Sequence, residues 1–186
     1  MLVEQTTLPD VLILTPARFG DDRGWFSETF NAARLAAIGL TMDWVQDNHS
    51  MSAQPGTLRG LHFQAPPHAQ DKLVRCTRGM ILDVAVDIRR GSPHYGKWVG
   101  VDLTPDNRRQ LFVPSGFLHG FVTRTAECEV QYKCSDLYAP ECDGAIRWDD
   151  PDLAIDWQVT NPTLSAKDRV APLLADFVSP FEWIAP

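Results

Sequence analysis

Two short runs of this sequence place a histidine where proton or metal chemistry is available. Pro114-Ser-Gly-Phe-Leu-His119-Gly has the form PxGxxH, in which Pro and Gly close a tight turn and a histidine follows at the start of the next strand. Gly60-Leu-His62-Phe-Gln64 carries a second histidine in another strand-like run. An imidazole titrates near neutrality and so serves as a general base or as a metal ligand. A transition metal asks for more, since HxH together with a glutamate would supply a facial ligand set. Here the second position of that pair is Gln64, whose amide oxygen is a poor replacement for imidazole. His49, His68 and His94 do not rebuild the set at HxH or HxxxH spacing. Metal binding is therefore the weaker reading, and acid–base work the stronger. Lys72 and Tyr132 add a fixed positive charge and a phenol.

Such groups need a scaffold, and the sequence reads as short strands. Candidates are Val11–Leu14, Trp44–Ser50, Thr57–Phe63, Lys72–Thr77, Met80–Asp87, Trp98–Leu103, Gln110–Pro114, His119–Thr123 and Glu129–Cys134, rich in β-branched and aromatic residues and separated by scattered prolines. Asn31–Ile38 reads as one short helix capped by its asparagine, and Ala171–Asp176 as a further helical turn. The expected fold class is mainly β, a sandwich or barrel, in one domain spanning residues 1–186. Alternation puts Leu82, Val84 and Val86 on one face of their strand and Ile81, Asp83, Ala85 and Asp87 on the other. It likewise groups Lys72 with Val74 and Cys76, Tyr132 with Val130 and Cys128, and His119 with Phe121. Polar tips on apolar faces are how a barrel lines a pocket at its mouth. Strict alternation separates Arg59 from His62, unless a bulge at Gly60 re-aims one of them.

The net charge of −7 argues against nucleic acid as a partner, and any anionic ligand must find a local cluster of Arg and Lys. No apolar run is long enough to cross a bilayer, and Met1–Asp10 has Glu4 but no basic residue. A cytoplasmic protein is expected. Cys76, Cys128, Cys134 and Cys142 show no CxxC spacing, and Cys76 and Cys128 read as small strand hydrophobes.

The runs FGDDRGWFSETFN (Phe19–Asn31), VQDNHSMS (Val45–Ser52), LRGLHFQ (Leu58–Gln64), KLVRC (Lys72–Cys76), DVAVDIRRGSP (Asp83–Pro93), GKWVGVDL (Gly96–Leu103), PSGFLHGF (Pro114–Phe121), YKCSDLYAP (Tyr132–Pro140) and LSAKD (Leu164–Asp168) resemble, in order, the signature of the dTDP-4-dehydrorhamnose 3,5-epimerases. The resemblance implies a double-stranded β-helix (jelly-roll, cupin-like) subunit, a homodimer, no cofactor, and a dTDP-4-keto-6-deoxy sugar as substrate; Gln64 adds the expectation of no metal. It also assigns roles. His62 would be the base that removes the hydrogens at C3 and C5, with Asp168 orienting its ring. Lys72 would stabilise the enolate, His119 would lie near the sugar, and Tyr132 would return the proton from the opposite face. Arg23 and Arg59 would meet the diphosphate, and Glu28, Gln46, Asp47 and Asn48 would hydrogen-bond the nucleotide. Tyr138 would stack on thymine, and Asp143 and Lys167 would make further contacts. Phe19 and Phe26 would wall the base or a dimer seam.

Read singly, each residue has an ordinary explanation. His62 would be a structural histidine, Tyr132 a core aromatic, Lys72 and Arg75 a solvated strand edge, Arg23 a turn residue paired with Asp21 or Asp22, and Asp168 a helix cap. The motifs around them decide otherwise. Asp143 stands where a glutamate is common, and Leu137 and Ala139 flank Tyr138 with less polarity than expected. The rival functions are an epimerase of one centre only, a silent sugar-binding cupin, and a metal-dependent cupin oxygenase, the last disfavoured by Gln64.

Overall fold

Each of the nine runs expected as strands forms one, with ends moved by at most two residues. The computed structural model describes residues 1–185. In chain order the strands are β1 (Leu2–Gln5), β2 (Leu12–Thr15), β3 (Phe19–Asp21), β4 (Gly24–Phe26), β5 (Gln46–Ser52), β6 (Leu58–Gln64) and β7 (Lys72–Arg78). They continue as β8 (Ile81–Asp87), β9 (Trp98–Leu103), β10 (Gln110–Val113), β11 (Phe117–Thr123), β12 (Cys128–Cys134) and β13 (Asp143–Ala145). Helix α1 (Ala32–Ala36) starts where Asn31 accepts the Arg34 N–H at 3.1 Å, and α2 (Ala166–Arg169) starts where the Ser165 hydroxyl accepts the Asp168 N–H. Of Ala171–Asp176 only Leu174–Asp176 turns, as a single 3-10 turn, so the run expected from Ala171 is shorter than the sequence suggests.

A six-stranded sheet, in the order β1-β2-β10-β7-β12-β5, faces a five-stranded sheet ordered β13-β6-β11-β8-β9, and the pairing within both is antiparallel. The fold is the expected jelly roll. Between the sheets lie Val74, Cys76, Leu111, Val113, Cys128 and Val130 from one side, and Ile81, Ala85, Val101, Leu103, Phe117 and Phe121 from the other. The outer face of the five-stranded sheet is buried as well. There Leu82, Val84, Val86, Leu118 and Val122 pack under Ile146, Leu153, Trp157, Phe177 and Phe181. Burial on both faces explains why all of β8 is buried. Its two aspartates survive there only because they are paired: Asp87 with Arg89 and Ser92, Asp83 with His119.

Lys72 and Arg75 do not form a solvated edge, because β7 is flanked by β10 and β12. Cys76 and Cys128 are buried and free, and burial pushes the Cys76 thiol up to about 12. Among the described residues no helix is long and apolar enough to cross a membrane.

Candidate active site

The bulge at Gly60 is present. His62 pairs with His119 and Arg59 with Phe121, so β6 advances three residues while β11 advances two. The inserted residue cancels the alternation that would have parted Arg59 from His62, and both line one cavity. Gly60 has φ +136°, and a Cβ there would lie 2.6 Å from the Gly120 Cα. Glycine at this position, facing Gly120, is therefore what lets β6 lean onto β11.

That cavity, about 430 Å³, is lined by Ser50, Arg59, His62, Lys72, Phe121 and Asp168, together with His119, Tyr132 and the 163–165 segment. His62 Nε2 lies 2.6 Å from Asp168 Oδ1, and Asp168 is 2% exposed. Burial pushes the Asp168 carboxyl up, but hydrogen bonds from His62, Ser165 and the Gly60 backbone outweigh it and hold the group below the usual carboxylate value. An ionised Asp168 only accepts, so Nε2 carries the ring hydrogen and Nδ1 is left as the atom able to take a proton. Asp168 does not cap α2, since Ser165 does.

Two further groups lining the cavity have proton affinities shifted by burial. Burial, reinforced by Cys134, raises the Tyr132 phenol above its ordinary value against the opposing pull of Arg59 and an Asn48 hydrogen bond, so it keeps its proton at neutral pH. Burial lowers the Lys72 ammonium, while Cys134, Asp143 and Asp83 pull it back up and Lys167 pushes it down. Beside them, His119 Nε2 is 2.7 Å from Asp83 Oδ1.

The remaining expected residues fall into neighbouring groups. Glu28, Asp47 and Asn48 line a second cavity, about 480 Å³, that shares Tyr132 with the first. Asp47 is bonded to Lys133 at 2.8 Å. Gln46 joins Asn48 at 3.1 Å and accepts the Tyr138 N–H at 2.9 Å. The Tyr138 hydroxyl lies 3.4 Å from Asp143, whose carboxylate also pairs with Lys167. Arg59 is held by Ser52 Oγ and the Met51 carbonyl, both at 3.2 Å. Arg23 is not brought to either cavity. It sits on the exposed β3–β4 hairpin, 89% exposed, and pairs with its own Asp21.

Gln64 has a structural occupation. Its amide nitrogen donates to the carbonyls of His68 and Leu137, and its oxygen accepts the Ala139 N–H at 2.9 Å. Ser50 and Asp83 were not singled out for the site from the sequence. For Asp83 a signal existed, because an aspartate inside a β-branched run is buried only with a partner.

A jelly roll of the cupin architecture whose cavity holds a histidine–carboxylate pair, a half-buried tyrosine and a lysine belongs to a class equipped for acid–base chemistry. Comparison with known proteins narrows it. Residues 5–176 match the family described as dTDP-4-dehydrorhamnose 3,5-epimerase, and the chain belongs to that family. It is 53% identical over 171 residues to the dTDP-4-dehydrorhamnose 3,5-epimerase of Escherichia coli (strain K12), covering 91% of this chain and 92% of that one. With the enzyme of the same name from Salmonella typhimurium it is 51% identical over 176 residues, covering 94% and 96%. The crystal structure of dTDP-6-deoxy-D-glucose-3,5-epimerase from Legionella pneumophila, in complex with dTDP-4-keto-L-rhamnose, superposes with a TM-score of 0.95 at 44% identity, covering 99% of each chain.

Proposed function

We propose that this chain inverts C3 and C5 of dTDP-4-dehydro-6-deoxy-D-glucose to give dTDP-4-dehydro-L-rhamnose, using neither metal nor cofactor. The observation that carries the reading is the His62–Asp168 pair sharing one cavity with Lys72 and Tyr132. The product named here is the sugar nucleotide in the Legionella complex.

Hydrogens beside a ketone are weakly acidic. His62 Nδ1 takes the proton at C5, and the C–H electron pair moves onto the C4 oxygen as an enolate. The Lys72 ammonium stabilises that oxygen, which concentrates catalysis at the atom where charge develops. Tyr132 then delivers a proton to C5 from the other face. Solvent returns a proton to the phenolate and removes one from the imidazolium, and the sequence repeats at C3. Asp168 offsets the charge on the imidazolium. Arg59, with Glu28, Gln46, Asp47, Asn48, Tyr138, Asp143 and Lys167, holds the nucleotide, and His119 holds the sugar. Arg59 and Lys167 are the local positive charge a dianion needs in a chain of net −7.

We read the molecule as one domain that works as a homodimer in the cytoplasm. Phe19, Trp25 and Phe26 are each more than 60% exposed on the β3–β4 hairpin, an apolar arm suited to a second copy. Arg23 on that arm would reach the diphosphate of the neighbouring subunit.

The test is incubation with dTDP-4-keto-6-deoxyglucose in deuterated water, followed by NMR. Deuterium and inversion at both C3 and C5 are expected. Inversion at one centre assigns a mono-epimerase, and no exchange at either removes the catalytic reading.

A further inference from the structure

A second imidazole–carboxylate pair presents its imidazole, His119, to the cavity, while its carboxylate, Asp83, lies buried behind it. His119 and His62 are register partners on β11 and β6, and each ring has its Nε2 on a buried aspartate, Asp83 or Asp168. Asp83 differs from Asp168 in one respect. It is 0% exposed, its Oδ1 meets His119, and its Oδ2 has no hydrogen-bond partner. A buried carboxylate oxygen without a hydrogen-bond partner is costly, and positive charge nearby offsets part of that cost. Lys72 is a cation whose ammonium feels the Asp83 charge across a gap of more than 4.0 Å, too long for a direct ion pair. It lies on the inward face of β7, lines the same cavity, and has no ion-pair partner among the described residues.

We propose that Asp83 is a positioning residue for the reaction: one carboxylate oxygen sets the imidazole of His119, and the other is the buried counter-charge of the Lys72 ammonium. This rests on the proposed function. With Asp83 Oδ1 accepting from Nε2–H, His119 Nδ1 is left as an acceptor for a sugar hydroxyl. Lys72 must stay charged to stabilise an enolate, and burial works against it. The titratable and charged groups around it are Cys134 and Tyr132 on β12, Asp143 on β13, Asp83 on β8, and Lys167 and Asp168 on α2. His62 and Arg59 on β6 and His119 on β11 complete the set. Asp143 is already engaged by Lys167, so Asp83 is the buried carboxylate with an oxygen to spare.

Asp83→Asn keeps the shape and removes the charge. Activity that needs a protonated Lys72 is lost as pH rises through its pKa. Without the Asp83 charge that alkaline limb should move to lower pH by about one unit or more. Turnover at neutral pH should fall about 10²-fold, while dTDP binding stays within about threefold, because the nucleotide contacts lie elsewhere. An unmoved alkaline limb in the folded variant overturns the proposal. Should Asp83→Asn fail to fold, two measurements with Asp83 intact decide. Lys72→Arg must move the alkaline limb to higher pH, and a limb left in place refutes the assignment to Lys72. Nitrogen-15 NMR of the unaltered protein must show His119 protonated at Nε2, and protonation at Nδ1 refutes the role of Asp83. The NMR result does not depend on turnover, so a chain that fails to epimerise the sugar removes the functional reading while Asp83 is still tested.

Discussion

Replacing Asp168 by asparagine is the most informative single change in the dyad. The two side chains have the same size, so the 2%-exposed site stays filled. What goes is the charge opposite His62 Nε2 at 2.6 Å. A hydrogen bond to a charged group contributes about 1.5–3 kcal/mol, and this one strengthens when the imidazole takes a proton. That alone predicts a turnover loss of about ten- to 150-fold. The amide can also turn its NH2 toward Nε2, which moves the ring hydrogen to Nδ1 and removes the base from that fraction of molecules. Together the two effects place the fall in kcat at about 10²–10⁴-fold. KM for the dTDP-sugar should change by less than about threefold, since Arg59 and Lys167 are untouched. Stability carries a second signature. The Asp168 carboxyl is held below its ordinary value, so its contribution is fully present above about pH 4 and is lost as pH falls through the folded value. The stability gap between native protein and Asp168→Asn should therefore narrow below about pH 4 in acid titrations followed by circular dichroism. A variant turning over within threefold of the native protein, with C3 and C5 exchange intact, would refute the role of Asp168.

His62→Ala should abolish deuterium uptake at both C3 and C5, whereas Tyr132→Phe should retain exchange, at C3 at least, while inversion falls about 10²-fold or more. The reverse pattern would exchange their roles. Arg59→Ala should weaken dTDP binding by about 1.5–3 kcal/mol, read by calorimetry, with an unchanged affinity removing Arg59 from the nucleotide site. Gln64→Ala deletes an amide that engages three backbone groups, so thermal unfolding should register a loss of about 2–4 kcal/mol. A melting temperature equal to that of the native protein would show that the clamp is not needed. Activity should survive chelation, and elemental analysis finding one tightly held transition metal per chain, with activity lost on its removal, would overturn metal independence.

The strands were readable because their side chains alternate between two faces, and β8 keeps that alternation although both of its faces are buried. Its Leu82, Val84 and Val86 lie on the outer face, and Ile81 and Ala85 between the sheets, as alternation requires. Alternation fails where a single residue is inserted. The Gly60 bulge moves Arg59 and His62 to one side; the glycine in RGLHF marked where a bulge could form, but not that one does. The hairpin β3–β4 and strand β13 were missed because three-residue strands carry too few side chains to show a period. In the site, His62, Lys72, Tyr132 and Asp168 were legible through their motifs, and the structure gathers them in one cavity. Arg23 was legible by type but not by place. Its ordinary explanation, a turn pair with Asp21, is what a single chain displays. Asp83 was assigned to the correct face, yet its partnership with His119 depends on the β8–β11 register, which sequence spacing does not contain.

The hydrogen bonds of Gln64 bear on what this barrel can become. One histidine at position 64 would write HxH into the sequence, and on paper the chain would be a step from a metalloenzyme. The side chain at that position, however, staples the 65–70 and 136–139 loops to β6 through both ends of its amide. An imidazole has one donor and one acceptor when neutral, and gives up a ring nitrogen to coordinate a metal. It could not hold both loops and an ion together. A new metal centre would have to arrive with replacement loop anchors already in place, so two chemistries that look adjacent in sequence are separated by a change in architecture.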